Sequence, residues 1–152
     1  MASTGRPLVS EIQLAEDSYR RCQGEPFFQA FYHRLLRADP AVREKFANTD
    51  FERQNRLLQH GIGLLLSFGR RPNPMLLARI AERHSSRDLD IAPALHEYFV
   101  DSLIETVREY DAACTPAVED AWRVAVAPGI EFIVSRYASA ADADDNASAG
   151  QG

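Results

Sequence analysis

PFFQAFYHRLLRADPAVREKF, residues 26–46, is the stretch that decides the fold. Phe27, Phe28, Phe31, Tyr32, Leu35 and Leu36 recur at helical spacing and form one broad apolar face. Pro26 opens the run. A proline is tolerated in the first turn of a helix because the N–H it lacks would be unpaired there. Asp39-Pro40 marks a second start, with a short polar side chain to cap the free N–H groups and a proline behind it. Phe46 puts an aromatic at the end of the short helix that follows.

The same punctuation recurs outward along the chain. Asn73-Pro74 and Thr115-Pro116 repeat the cap-then-proline pattern, and Pro93 precedes another long helical stretch. Thr49-Asp50-Phe51-Glu52 reads as a capping box, with Thr49 as the cap and Glu52 reaching back. Leu57, Leu58, Ile62, Leu65 and Leu66 form one apolar helical face, and Phe99, Leu103, Ile104 and Val107 another. No useful length of strand-period alternation is present, nor a hairpin turn between such runs. The resulting map is all-α, with helices at about 8–22, 25–37, 40–46, 50–68, 74–86, 93–110 and 116–137. Pro128-Gly129 falls inside the last helix, where a proline removes a ladder hydrogen bond, so a kink or break is expected. Residues 1–7 are expected to be a flexible N-terminus. Residues 138–152, small, polar and acidic, are expected to be a disordered tail.

A chain of 152 residues fits one domain. Its net charge of −5 matches neither nucleic acid nor an anionic membrane electrostatically. No apolar run is long enough to span a bilayer, and the N-terminal residues carry charges instead of an apolar signal core. A cytoplasmic protein with no nucleic-acid or membrane partner is therefore expected. Cys22 and Cys114 form no CxxC pair. They read as packed or surface thiols, with a single redox-labile disulfide as the other reading. No P-loop, G-x-G-x-x-G or G-x-S-x-G motif occurs, and no chelating His/Cys/Asp/Glu spacing.

His84 lies near the end of its helix. Its offsets to Ile80 and Leu77 put the imidazole on the apolar stripe. Such a histidine is either a core or rim residue bonded to a carbonyl, or an axial ligand beside the apolar wall of a flat cofactor. Gln54 and Leu58 share a face of another helix, being four apart. Tyr32 sits among Phe27, Phe28 and Phe31, where a buried phenol must find a polar partner.

Together, FFQAFYHRLLRADPAVREKF, FERQNRLLQHGI, IAERHSSRDLDI and AWRVAVAPGIEFI resemble the three-over-three bacterial globins. The likeness is nearest to the haem domain of flavohaemoglobins and to single-domain relatives, and it covers about residues 8–137. The FY pair of the second helix, the step from Tyr32 to Phe46 and the ERH ending of the fifth helix carry most of it. The resemblance implies a globin fold, a three-over-three helical sandwich, holding haem b (iron protoporphyrin IX). It makes His84 the proximal iron ligand and Phe46 the wedge against the porphyrin. Tyr32 and Gln54 become the distal pair facing bound gas, Leu58 the apolar residue one turn after Gln54, and Arg83 a partner for a haem propionate.

The chain also departs from flavohaemoglobins. Its 152 residues leave no room for a flavin and nicotinamide reductase domain. The glutamate that orients the proximal histidine there is matched here by Tyr137, and the tyrosine position falls near His96. A weaker push toward O–O cleavage is expected. His33 and His60 are expected to point away from the pocket. The expected function is reversible binding of O2, and of other diatomic gases such as NO and CO, at a pentacoordinate haem iron, with no catalytic residue assigned. NO dioxygenation would need an external reductase. The alternative is a haem-based gas or redox sensor signalling through a partner protein or a dimer. The expected state is a monomer or a homodimer joined through the last two helices.

Overall fold

The computed structural model describes residues 7–22, 24–85 and 89–149, with side chains up to residue 137. The described residues form seven helices and no strand: α1 (Val9–Arg21), α2 (Glu25–Ala38), α3 (Pro40–Lys45), α4 (Phe51–Arg70), α5 (Pro74–His84), α6 (Leu95–Tyr110) and α7 (Pro116–Ala149). Most starts follow the chemistry of their caps. Asp39 Oδ1 accepts from the Ala41 N–H at 2.8 Å, and Asn73 Oδ1 from the Met75 N–H at 3.0 Å, each ahead of a proline in the first turn. Thr115 Oγ1 accepts from the Val118 N–H at 3.3 Å.

At α4 the cap is Asp50, one residue beyond the expected Thr49. Asp50 Oδ1 accepts from the Glu52 and Arg53 N–H groups at 3.1 and 3.4 Å. Both residues are good cap types, and Asp50 adds a negative charge at the positive end of the helix. Helix α6 begins at Leu95, two residues after Pro93, because Ala92 and Pro93 are spent in a turn whose carbonyls accept from Leu95 and His96.

The helices stack as two layers. Helices α1, α4 and α5 form one, α2, α6 and α7 the other, and α7 touches every member of the first. This is the three-over-three sandwich. Its core holds Ile12, Phe27, Phe31, Ile62, Leu77, Leu103, Val107 and Trp122, all nearly inaccessible to solvent.

Two glycines let the layers close. A Cβ on Gly69 of α4 would collide with the main-chain oxygen of Ala125 on α7. A Cβ on Gly129 would lie 2.6 Å from Leu65 Cδ2. The neighbouring Pro128 was expected to kink or break the helix. It does not break it: α7 runs through Pro128, held on one side by α1, α4 and α5. Packing of a whole face outweighs the loss of one ladder hydrogen bond. The backbone of residues 138–149, in the segment expected as a disordered tail, continues α7 in helical form, which its alanines favour. Residues 1–6 and 150–152 of the two expected flexible ends lie outside the described residues. No helix among the described residues is long and apolar enough to cross a membrane.

A buried polar knot joins the layers away from the site. Asp111, between α6 and α7, accepts from Arg21 at 2.6 and 2.9 Å, from Ser18 Oγ at 2.7 Å and from the Ala113 N–H at 3.0 Å. Trp122 Nε1 donates to Ser18 Oγ at 2.9 Å. The Arg21 guanidinium, with these other donors, holds the Asp111 carboxyl below its ordinary range against the opposing effect of burial. Cys22 and Cys114 are both free thiols. Burial pushes the Cys22 thiol up to about 12, as suits a packed side chain.

Candidate haem site

Helices α3, α4, α5 and α6 enclose a cavity of about 440 Å³. Its walls include Phe46, Gln54, Leu57, Arg83, His84, Ile91, Leu95, His96 and Phe99. The size falls within the roughly 300–1,000 Å³ typical of cofactor pockets.

His84 is the last residue of α5, and the connection that follows ties it down. The N–H groups of Leu89, Ile91 and Asp90 turn back onto the carbonyls of Arg83, His84 and Ser85 at 2.9, 3.0 and 2.9 Å. These bonds satisfy carbonyls that a helix end leaves free. Asp90 takes a left-handed φ of 53° to make the turn, a conformation an aspartate tolerates better than most residues.

The His84 side chain is half-buried, and its buried Nδ1 has no hydrogen-bond partner. Burial lowers its pKa to about 4, with the neighbouring His96 and Arg83 acting in the same direction. The ring is therefore neutral at physiological pH, and a neutral imidazole has a lone pair to give a metal. His96, on α6, is 6% exposed and also lowered by burial. Its ring centre lies 5.6 Å from that of His84, at 34°.

At the aromatic cluster around α3, Phe46 at the end of that helix stacks on Phe51 at 6.2 Å, and Tyr32 meets both edge-on at 5.6 and 5.5 Å. Tyr32 Oη donates to the main-chain carbonyl of Gln54 at 3.4 Å. Burial pushes the Tyr32 phenol up to about 12, while the Gln54 side chain pulls it back. The phenol is thus a hydrogen-bond donor at any physiological pH.

Of the residues singled out in the sequence, Phe46, Gln54, Arg83 and His84 line the cavity. Tyr32 sits behind them, packed among Phe31, Phe46 and Phe51. Leu58 is buried in the core, and its neighbour Leu57 lines the cavity. Gln54 to Leu57 and Gln54 to Leu58 are both helical neighbours, so spacing alone could not choose between them. His33 and His60 are exposed and outside the cavity, as expected. His96, left open by the sequence, is one of its walls. Sequence reasoning passed over Lys45 and Arg53, which also line the cavity. A lone cation in a helical stretch gives no signal of where it points.

A solved structure from Pseudomonas aeruginosa PAO1, described as a protein structurally highly homologous to a human hemoglobin, is 36% identical to this chain. The match covers 84% of this chain and 98% of that one, with a TM-score of 0.81. This chain belongs to the globin family. No family model and no curated protein matches this globin.

A hemoglobin-like fold suggests a haem cofactor and gas ligands such as O2. The site of this globin fits a haem on three counts. A neutral imidazole, that of His84, forms part of the cavity wall. Leu57 and Leu89, 52% and 41% exposed, line that cavity and offer apolar surface that a flat macrocycle would cover. Lys45, Arg53 and Arg83 line the cavity as well, and such cations would suit the two propionates of a haem.

Proposed function

We propose that this globin, through residues 8–137, binds haem b and reversibly takes up O2, and other diatomic gases such as NO and CO, at a pentacoordinate haem iron. The observation that carries the reading is the His84 imidazole, neutral, half-buried, and lining one cavity together with Gln54 and Phe46. Haem, when bound, supplies the iron at which such gases add. Everything else is the work of side chains.

His84 Nε2 holds the cofactor on one side. Phe46 wedges its ring, while Leu57, Leu58 and Leu89 give the apolar surroundings that exclude water. Arg83 anchors a propionate, with Lys45 and Arg53 placed to help. Tyr32, through its phenol O–H, donates to a bound diatomic molecule that carries partial negative charge. The Gln54 side chain orients that phenol and offers a second donor. The Tyr32 bond to the Gln54 carbonyl is long at 3.4 Å, so the hydroxyl loses little in turning to a ligand.

NO dioxygenation is a side activity of this reading and requires electrons from a separate reductase. Cytoplasmic location and a monomeric or homodimeric state belong to the same proposal. The test is the absorption spectrum of the purified protein from haem-sufficient cells in ferric, ferrous and CO-bound forms. A haem spectrum with an open sixth position in the ferrous form is expected. A colourless protein that takes up no added haemin would overturn the reading. Sedimentation at several concentrations, with and without O2, separates the carrier from the sensor: a gas-dependent change of mass would favour signalling through a dimer.

A further inference from the structure

Resting on the reading of His84 as the haem ligand, we propose that His96 is the positioning residue of the proximal side: a ring nitrogen of His96 accepts the Nδ1–H of His84. With Nε2 given to iron, a neutral His84 must carry its proton on Nδ1, which becomes a buried donor in need of an acceptor. A buried donor left unpaired is costly, so the site must supply one.

Few groups can. On this wall of the cavity Leu89, Ile91, Leu95 and Phe99 are apolar and Arg83 is only a donor. Tyr137, placed by the sequence where relatives keep a glutamate, donates its hydroxyl to Asp90 Oδ1 at 2.7 Å and is not among the residues that line the cavity. His96 is buried and lines the same cavity. Rings with centres 5.6 Å apart place facing nitrogens at the outer edge of hydrogen-bond reach, so rotation together with a slight approach of the rings closes the bond. The turn at Ala92 and Pro93 that delays the start of α6 sets where His96 stands.

An imidazole is a weaker acceptor than a carboxylate. It polarises the His84 ring enough to fix its plane but leaves it less basic than a histidine paired with glutamate. His96 therefore tunes this iron toward ligand binding and away from O–O cleavage.

The experiment is resonance Raman spectroscopy of the ferrous, ligand-free holoprotein, reading the iron–histidine stretching band. His96→Phe should move the band to lower frequency. His96→Gln, which keeps an acceptor, should restore it most of the way. His96→Glu should move it above wild type and lower the ferric/ferrous midpoint potential. A purely packing role predicts that Phe, similar in shape, leaves the band in place while Gln disturbs it. A band at the wild-type frequency in both His96→Phe and His96→Glu would overturn the proposal and leave a main-chain carbonyl as the acceptor. His84→Ala separates the two claims. Loss of the band in that variant upholds the ligand assignment whatever the His96 series shows, whereas a band that survives His84→Ala and vanishes in His96→Phe would make His96 the ligand and defeat both.

Discussion

Tyr32 on α2 donates its hydroxyl to the main-chain carbonyl of Gln54 on α4 across 3.4 Å, tying α2 to a residue of the cavity wall. That bond is near the outer limit of hydrogen-bond length, so it restrains the phenol without holding it fast.

Tyr32→Phe should therefore raise the O2 dissociation rate by about ten- to a hundredfold, the loss of one bond of about 1–3 kcal/mol to a charged or polarised acceptor. CO carries less charge and should dissociate at nearly the wild-type rate. Flash photolysis and stopped-flow mixing of the two proteins measure both. Equal O2 off-rates would remove Tyr32 from the ligand-facing side.

Gly69→Ala should destabilise the fold without touching the site. The added methyl group would strike the Ala125 carbonyl oxygen and lie 3.1 Å from Ile12 Cδ1, forcing α4 and α7 apart. Overpacking of this kind costs about 1–3 kcal/mol and should lower Tm by several degrees. Calorimetry checks it; an unchanged Tm would mean the two helices separate freely.

The Asp111 knot makes stability depend on acid. The folded-state pKa of Asp111 is depressed, so its contribution is complete above the unfolded value near 3.8 and fades as pH falls through the folded one. Asp111→Asn should cost about 1–3 kcal/mol at neutral pH, a figure kept modest because Arg21 is 39% exposed. The gap between mutant and wild type should narrow below about pH 4. Urea melts at neutral and acid pH measure it, and a gap that stays constant would place the stabilisation in packing.

The architecture was legible because helix starts carry chemistry in single residues. Asp39, Asn73 and Thr115 each cap the helix foreseen for them. At α4 two adjacent cap-forming residues competed, and only three-dimensional geometry could choose Asp50 over Thr49. At Pro128 the expected kink or break does not take the form of a break. A local rule predicts strain there, but contact with α1, α4 and α5 holds the helix together, and that contact is long-range. At the site, His84, Phe46 and Gln54 were found through the pattern they make together, since each alone has an ordinary structural reading. The place of Leu57 on the cavity wall was not legible, because a helix rotates 100° per residue and Leu57 and Leu58 flank the same face. His96 depended on the length of the α5–α6 connection, which residue spacing does not fix.

The central claim is that His84 binds haem iron. Its most direct test compares ferrous spectra of haem-loaded wild type and His84→Ala, each with and without added imidazole. The account predicts that the variant loses the wild-type ferrous spectrum and that imidazole entering the vacated space restores it. Identical ferrous and ferrous-CO spectra in the two proteins would contradict it.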